Sequence, residues 1–514
     1  MMRETIKDAL KGAVPHVMPE VMFSEGNKNG HLTTNCALIS AKVTGISPLE
    51  LAEKIKGEIE PKLKGVIERI EIAGPGFINF FLKDEAIINE LKEVEKKIKK
   101  GFDFRKGEKI NIEFISANPT GELHIGHGRG AFYGDTIANI LEFSGAKVTR
   151  EYYINDSRES NQIKELGKTA LGMGETYLTE KLKKQISKLK IGLSDAGEAG
   201  FKLALVIQKD NKEFIEKKLG IRFDEWYSED EKLRASKLND RTFLALKMKE
   251  LVYEKDGAMW LKTLEYGDDE DRVVVRSDGT NSYFLSDISY HSEKFLRGYD
   301  VVINVWGADH HGHVKRMEAV KKMLGWKGDL KIFITQLVSL KDGKMSKRAG
   351  NVILLRDLVN EFGLDVVRWF FSEKALTTHM EFDAVRAKEQ SEKNPVFYVQ
   401  YAHARMNSIL EKAKDFKKDN TTILEVVKIP SARALALKLA QLEEIIESIV
   451  EEYQVQKLTT YAYELATVFS QFYRDVRVIE ETSYNNGALE MIETTKNVLA
   501  KSLSLLGISA PNKM

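Results

Sequence analysis

Short β-rich runs alternate with helical stretches from residue 109 to residue 337, and few folds accept that order. Residues 109–116 read as a strand, residues 126–144 as a helix and Lys147–Ile154 as a second strand. The pattern returns later. Val301–Trp306 reads as an apolar strand, residues 314–324 as a helix and residues 331–337 as a strand. Strands joined through helices pair in parallel, so a multidomain α/β protein with a Rossmann-like parallel sheet is expected. Residues from about 165 to 270 part the two halves and read as an inserted subdomain. Its lysines at 181, 183, 184, 188 and 190 read as a solvated helix face rather than a nucleic-acid contact.

At 514 residues the chain exceeds one ordinary core, and its ends differ from its middle. Residues 1–100 read as a small α+β domain. Ser47-Pro48-Leu49-Glu50 has the form of a helix start in which Ser47 caps and Glu50 closes a capping box. Ile70-Glu71-Ile72 and Ile78-Asn79-Phe80 alternate as half-buried strands about Gly74-Pro75-Gly76. Ile87, Leu91, Val94 and Ile98 form a helical stripe that ends at Gly101. Residues 101–107 read as a linker. From residue 391 to residue 514 the only glycines are Gly487 and Gly507, and apolar residues recur every three or four positions, as in an all-helical bundle.

With 78 basic and 77 acidic residues the net charge is +1, so no global basic field announces a nucleic acid, although a local face can supply phosphate contacts. No run of eighteen apolar residues offers a membrane span, and the N-terminus has no apolar signal region. The expected compartment is the cytoplasm. Cys36 alone can form neither an internal disulfide nor a cysteine-based zinc site.

Gly126-His127-Gly128-Arg129-Gly130-Ala131 matches a dinucleotide fingerprint at Gly126, Gly128 and Ala131, and Glu151 stands twenty residues after Ala131. In that fingerprint the first glycine follows its strand almost at once. Here Ala117-Asn118-Pro119-Thr120-Gly121-Glu122-Leu123 intervenes. Gly343-Lys344-Met345-Ser346 resembles the end of a P-loop, but Val338 takes the place of its first glycine. Asp309-His310-His311-Gly312-His313 crowds possible metal ligands together, yet adjacent residues rarely point at one ion.

Two basic motifs fit each other better than they fit these readings. His124 and His127, three apart at a helix start, put both imidazoles on one side beside free backbone N–H groups, and Gly126 leaves room for a flat ring. Lys344 and Lys347 lie on a loop between Asp342-Gly343 and Ala349-Gly350. Taken singly, they read as capping histidines and a solvated loop. Together they suit a triphosphate whose charge is redistributed during reaction.

His124-Ile125-Gly126-His127 and Lys344-Met345-Ser346-Lys347-Arg348, in this order on a divided parallel sheet, resemble the signatures of the class I aminoacyl-tRNA synthetases. The surroundings resemble the arginyl-tRNA synthetases in particular. They are Glu113-Phe114-Ile115-Ser116-Ala117-Asn118-Pro119-Thr120-Gly121, Asp278-Gly279-Thr280 with Tyr283 and Asp287, Gly307-Ala308-Asp309-His310-His311-Gly312, and Tyr398-Val399-Gln400-Tyr401-Ala402-His403. Gly74-Pro75-Gly76-Phe77-Ile78-Asn79 and Leu505-Leu506-Gly507-Ile508-Ser509-Ala510-Pro511 resemble that family's two ends. His310 stands where some members carry glutamine, and the lysine motif is complete where many have a degenerate one.

The resemblance implies a catalytic domain over residues 108–390, with the histidine motif at 117–127, the insertion, and the lysine motif at 344–348. It implies an N-terminal domain touching the tRNA elbow and an anticodon-binding bundle over residues 391–514. The arginine carboxylate would attack the α-phosphate of ATP, giving arginyl-adenylate and pyrophosphate, and the terminal ribose of tRNA would take the arginyl group. The implied catalytic residues are His124, His127, Lys344 and Lys347. Gly126, Gly307, Asp309 and Ser346 would bind ATP, and Glu113, Asn118, Tyr283, Asp287 and His310 would bind arginine. Tyr398 and Tyr401 would stack on unpaired tRNA bases. Magnesium is expected with ATP, structural zinc is not, and the chain is expected to be a monomer.

The chemistry of the substrate agrees. A guanidinium has five donors and no acceptor, so a selective site needs carboxylates that accept in a fork. Lysine would leave those acceptors unfilled, which permits discrimination of about 10⁴ without an editing domain. A cysteine-specific synthetase would need cysteine ligands for zinc, and a non-catalytic tRNA-binding relative would not need both phosphate motifs.

Overall fold

The alternating runs pair as a five-stranded parallel sheet in the computed structural model, which describes residues 2–24, 30–189, 195–341 and 353–514. The strands are β1 (Lys109–Glu113), β2 (Lys147–Ile154), β3 (Glu225–Ser228), β4 (Val301–Trp306) and β5 (Asp329–Ile334), in the order β5-β4-β1-β2-β3. Val301 lies opposite Ile110, Glu113 opposite Glu151, and Glu151 opposite Glu225. Ile110, Ile112, Val302 and Ile303 are fully buried, as strands covered on both faces require. The strand order reverses between β1 and β4. In such sheets the crevice beyond the carboxyl ends at that switch point is where ligands bind.

Three helices position the site: α1 (Ile125–Phe143), α2 (Tyr283–Leu296) and α3 (His313–Leu324). Helix α1 is buried almost all round, and its small residues allow this. A Cβ on Gly128 would stand 2.8 Å from Leu355 Cδ1, and one on Gly134 would overlap the Phe114 ring. Strand β3 comes from inside the segment that reads as an insertion; a four-residue run is too short to show a period. The rest of that segment is largely helical, followed by an antiparallel sheet of Val252–Lys255, Ala258–Leu261 and Arg272–Val275.

These elements belong to one compact unit, residues 103–388 with 454–456. A second unit joins the described residues up to 102 with 389–453 and 457–514. In it, strands Ile67–Ala73 and Phe77–Leu82 pair antiparallel, with Ile70 opposite Phe80. Helix Asp84–Lys100 buries the stripe Ile87, Leu91, Val94 and Ile98 and stops at Gly101. Helix Pro48–Ile59 starts where expected, but the Ser47 side chain makes no cap hydrogen bond, so the expected capping box is not formed. The C-terminal part is helical apart from two-residue strands at Lys417–Lys418 and Ser483–Tyr484. The two ends of the chain hold each other through Arg3 and Glu447 at 2.7 Å and Lys97 and Glu443 at 2.6 Å. No described helix is long and apolar enough to cross a membrane.

The Gly134 contact gives a direct test of how α1 is seated. Gly134→Ala should destabilise the protein by about 1–3 kcal/mol through overpacking against Phe114. A lowered midpoint in urea, monitored by tryptophan fluorescence, is the expected outcome; an unchanged midpoint means the helix sits elsewhere.

Candidate active site

Strand β1 ends at Glu113 because the chain then turns sharply. Ile115 and Ser116 take φ values of 69° and 37°, a left-handed conformation that costs a β-branched residue dearly. Neighbours hold the turn in place. Ser116 Oγ donates to Glu113 Oε1 at 2.9 Å and accepts from the Tyr153 N–H at 3.1 Å. The Ala117 N–H donates to the Tyr152 hydroxyl at 3.0 Å. The turn carries the chain to Asn118, which is exposed and makes no side-chain hydrogen bond among the described residues.

The next ordered feature is the start of α1. His124 is its N-cap, and the Gly126 N–H donates to His124 Nδ1 at 3.1 Å. The His124 N–H donates to His127 Nδ1, also at 3.1 Å, so the two histidines close a capping box. Their rings stack at 3.7 Å. Burial lowers the pKa of both, that of His127 to about 3 with the help of His124. Each ring is therefore neutral with Nδ1 used as an acceptor, which leaves the proton on Nε2. Two N–H donors thus stand at a helix N-terminus, an arrangement suited to phosphate oxygens.

A buried polar chain connects the strand ends to α2. Lys294, wholly buried, donates to Glu113 Oε2 at 2.6 Å and to Asn304 Oδ1 at 3.0 Å. That orientation gives Asn304 Nδ2 to His291 Nε2 at 2.6 Å, and His291 Nδ1 to the Asp287 carbonyl at 2.8 Å. Burial, followed by Lys294, lowers His291 to about 3, so it relays as a neutral ring. Sequence reasoning missed Lys294 and His291. With Asp287 they stand at helical spacings of four and three, and that polar stripe on a helix of buried residues was the available signal.

Asp287 itself remains poorly matched. Its carboxylate is 38% exposed, and its nearest cationic partner among the described residues is His313 at 4.0 Å, itself held below the ordinary histidine range by burial. Burial and then the charge of Glu113 raise Asp287 to about 7. The floor of the crevice therefore carries more acid than base. Tyr283, on the same helix, is half exposed, with its hydroxyl accepting from the Asn161 N–H at 3.4 Å. Beyond β4, Gly307 precedes a short 3-10 turn of Ala308–His310. His310 faces Asp309 at 3.5 Å and Trp306 at 5.8 Å, and Asp309 is largely exposed.

Glu151 settles the dinucleotide reading. It is fully buried and accepts from Arg297 at 2.6 and 3.1 Å, from Asn111 at 3.0 Å, and from the Tyr290 hydroxyl. No ribose can reach it. Lys190, Lys344, Met345, Ser346, Lys347 and Arg348 lie outside the described residues. Tyr398 and Tyr401 belong to the other unit. There they line a groove of about 410 Å³ with Arg405 and Arg474. Tyr401 is 46% exposed, and Tyr398 is held by Ser470 at 3.3 Å.

Three family models match the chain: "Arginyl tRNA synthetase N terminal domain" over residues 1–82, "tRNA synthetases class I (R), catalytic domain" over 90–163 and 160–410, and "DALR anticodon binding domain" over 399–514. The chain is 37% identical to an arginine–tRNA ligase of Halalkalibacterium halodurans over 563 aligned positions, covering 100% of this chain and 98% of that one. It is 40% identical to the arginine–tRNA ligase of Citrifermentans bemidjiense, covering 95% and 93%. Its fold matches that of Thermus thermophilus arginyl-tRNA synthetase with a TM-score of 0.78 at 21% identity, covering 100% of both chains.

An acid whose folded pKa lies above its unfolded value binds more protons when folded, so ionising it costs stability as the pH rises. Asp287 is such an acid. Asp287 should therefore lower the thermal midpoint of the ligand-free protein as the pH rises from about 4 to about 7, and Asp287→Asn should flatten that part of the fall. Scanning fluorimetry across this range measures both slopes; identical slopes would place Asp287 outside the acidic crevice.

Proposed function

The chain belongs to the arginyl-tRNA synthetases, and from that premise we propose how its own residues divide the reaction. The enzyme is an aminoacyl-tRNA ligase whose substrates are ATP, L-arginine and tRNA. One observation carries the assignment of roles. A histidine cap presenting two Nε2–H donors and an under-neutralised acidic crevice both lie in the unit built on one parallel sheet.

His124 and His127 donate to the phosphate oxygens of ATP, with Gly126 leaving room for the His124 ring, to which a Cβ would come within 3.0 Å. Being neutral, they stabilise charge without adding a proton to be lost. Gly307 and Asp309 face the ribose and adenine side, and Ser346 contributes from the lysine motif. Lys344 and Lys347 neutralise the pyrophosphate as it leaves. No side-chain nucleophile is needed. The arginine carboxylate attacks the α-phosphate, and catalysis is alignment with stabilisation of developing charge. The nucleotide brings its magnesium with it.

Asp287 supplies the main charge for the guanidinium. Glu113 shares in the fork, but Lys294 already matches its charge and Ser116 occupies its second oxygen. Asn118 and Tyr283 orient the substrate's polar ends, and His310 borders it from beyond β4. A fork of acceptors favours the planar guanidinium over a lysine ammonium.

In the helical part, Tyr401 and Tyr398 stack on anticodon bases while Arg405 and Arg474 meet the phosphates. A neighbouring groove of about 840 Å³, lined by Arg405, Lys412, Arg474 and Arg477, extends the same surface. The N-terminal domain reaches the tRNA elbow. The enzyme acts as a monomer in the cytoplasm.

ATP–pyrophosphate exchange tests the reading. Assayed with and without tRNA, arginine should support exchange in at least one condition and lysine in neither. Lys347→Ala should slow activation by about 10² to 10³-fold, a transition-state effect. Asp287→Asn should act mainly on the arginine KM, by about 10²-fold, as the loss of one member of a charged hydrogen-bonded pair does. Absence of exchange in every condition, with folded protein, overturns the assignment of this site.

A further inference from the structure

Between the left-handed turn at Ile115 and Ser116 and the histidine cap, residues 117–123 form no helix or strand. Within that loop the Thr120 N–H donates to the Asn118 carbonyl at 2.8 Å. A segment with so few backbone bonds of its own is placed by partners from elsewhere. Some of those partners are backbone groups of the chain that follows the lysine motif. The Ile125 N–H donates to the Ile353 carbonyl at 2.8 Å, the Leu355 N–H donates to the Leu123 carbonyl at 2.9 Å, and His124 lies antiparallel to Leu354. Leu355 is fully buried against Gly128 of α1.

The loop's charged side chain, Glu122, is held as well. Its Oε1 accepts from Lys181 Nζ at 2.9 Å and from Arg356 Nε at 3.2 Å. Lys181 belongs to helix Glu180–Leu189 of the inserted segment, and Arg356 to helix Leu355–Phe362. A third helix, Ala196–Lys217, holds both cations. Its Asp210 stands 3.3 Å from Lys181 Nζ, and its Phe214 ring lies 4.4 Å from the Arg356 guanidinium. From the same helix the buried Asn211 donates to the Gly121 carbonyl at 3.0 Å. Positions 210, 211 and 214 fall on one helix face, so a single surface serves the loop and both of its cations.

Exposed ion pairs contribute little to stability, and these are of that kind, with the side chains of Glu122, Lys181 and Arg356 exposed by 22%, 38% and 34%. Their value lies in direction rather than strength. The two cations come from 59 and 234 positions away and meet on one oxygen. Asp210 and Phe214 already restrain them, so joining them to Glu122 costs little further side-chain freedom. The carboxylate is thereby pinned between two helices, just ahead of the residue that caps α1.

We propose that Glu122 is a positioning residue for adenylate formation: by gathering Lys181 and Arg356 on one oxygen, it fixes where the His124–His127 cap presents its Nε2–H donors. The proposal rests on the reading of those histidines as phosphate ligands. Glu122 acts only through the cap. A displacement of about 1 Å in an aligned group costs about 10²-fold in rate, so a contact worth little to stability is worth much to the reaction. The arginine pocket draws on other residues, so the loss should fall on kcat and spare the arginine KM.

ATP–pyrophosphate exchange by the full-length chain with tRNA present, alongside thermal unfolding of the same samples, tests this. Glu122→Gln keeps the size and removes the charge. It should lower kcat about 10 to 100-fold, hold the arginine KM within about twofold and barely move the thermal midpoint. Glu122→Asp keeps a carboxylate and should recover much of the rate. Lys181→Met should lower kcat with Glu122 intact, and the double variant should lose less than the product of the two single losses, because both changes remove one shared contact. An unchanged kcat in Glu122→Gln, a fall in rate matched by a fall in midpoint, or losses that multiply in the double variant overturns the proposal. His124→Ser keeps a capping acceptor but removes the Nε2–H donor, so it tests the histidine reading separately. Wild-type exchange in His124→Ser overturns that reading and this proposal together. Slowed exchange in His124→Ser with wild-type exchange in Glu122→Gln overturns this proposal alone.

Discussion

The ion pair between Lys294 and Glu113 holds the catalytic unit to one geometry. A wholly buried ammonium tolerates few arrangements, because an unmatched charge there costs several kcal/mol. Lys294 comes from α2 and Glu113 from the end of β1, so the pair ties the helix to the central strand. The other Glu113 oxygen holds Ser116, which keeps the left-handed turn that leads toward the histidine cap. Through Asn304 and His291, Lys294 also fixes the backbone of Asp287. Strain at Ile115 and position at Asp287 thus depend on the same buried cation.

That cation balances one carboxylate and no more. Glu113 is neutralised, and the remaining acids of the crevice face each other. Asp287, partly exposed, and Glu229, buried, have no described cation within hydrogen-bond reach. A fold built only for stability would have paired them or made them apolar. On the proposed reading, the unsatisfied acidity is destabilising in the empty enzyme and favourable once a guanidinium enters. Local rules fail here for a reason connected with function.

Much of this was legible in the sequence, and the exceptions share a cause. Strand Val301–Trp306 follows from its apolar run, Lys147–Ile154 from its β-branched and aromatic residues, and the helical stripe of Asp84–Lys100 from its period. Features that depend on partners distant in the chain were not legible. Lys294 meets Glu113 across 181 positions, and Arg3 meets Glu447 across 444. The second contact places both chain ends in one unit, where local patterning reads separate domains. The capping rules failed twice in opposite directions: Ser47 makes no cap bond, while two histidines close a box that those rules assign to hydroxyl and carboxyl residues.

The second failure changes how the histidine motif should be understood. Capping and phosphate binding compete as readings of His124 and His127 only while the two ring nitrogens are treated as equivalent. In the structure each Nδ1 accepts a backbone N–H, and burial keeps each ring neutral. The cap therefore fixes the tautomer and leaves Nε2–H as the free group. It also fixes where that donor stands, since the stacked rings cannot turn without breaking the helix start. A protonated imidazole would bind phosphate more tightly in the ground state, but it would lose the Nδ1 cap. On the proposed reading, using the cap to hold a neutral donor keeps the group aligned with charge that appears only as the α-phosphate reacts, which is where binding accelerates the step.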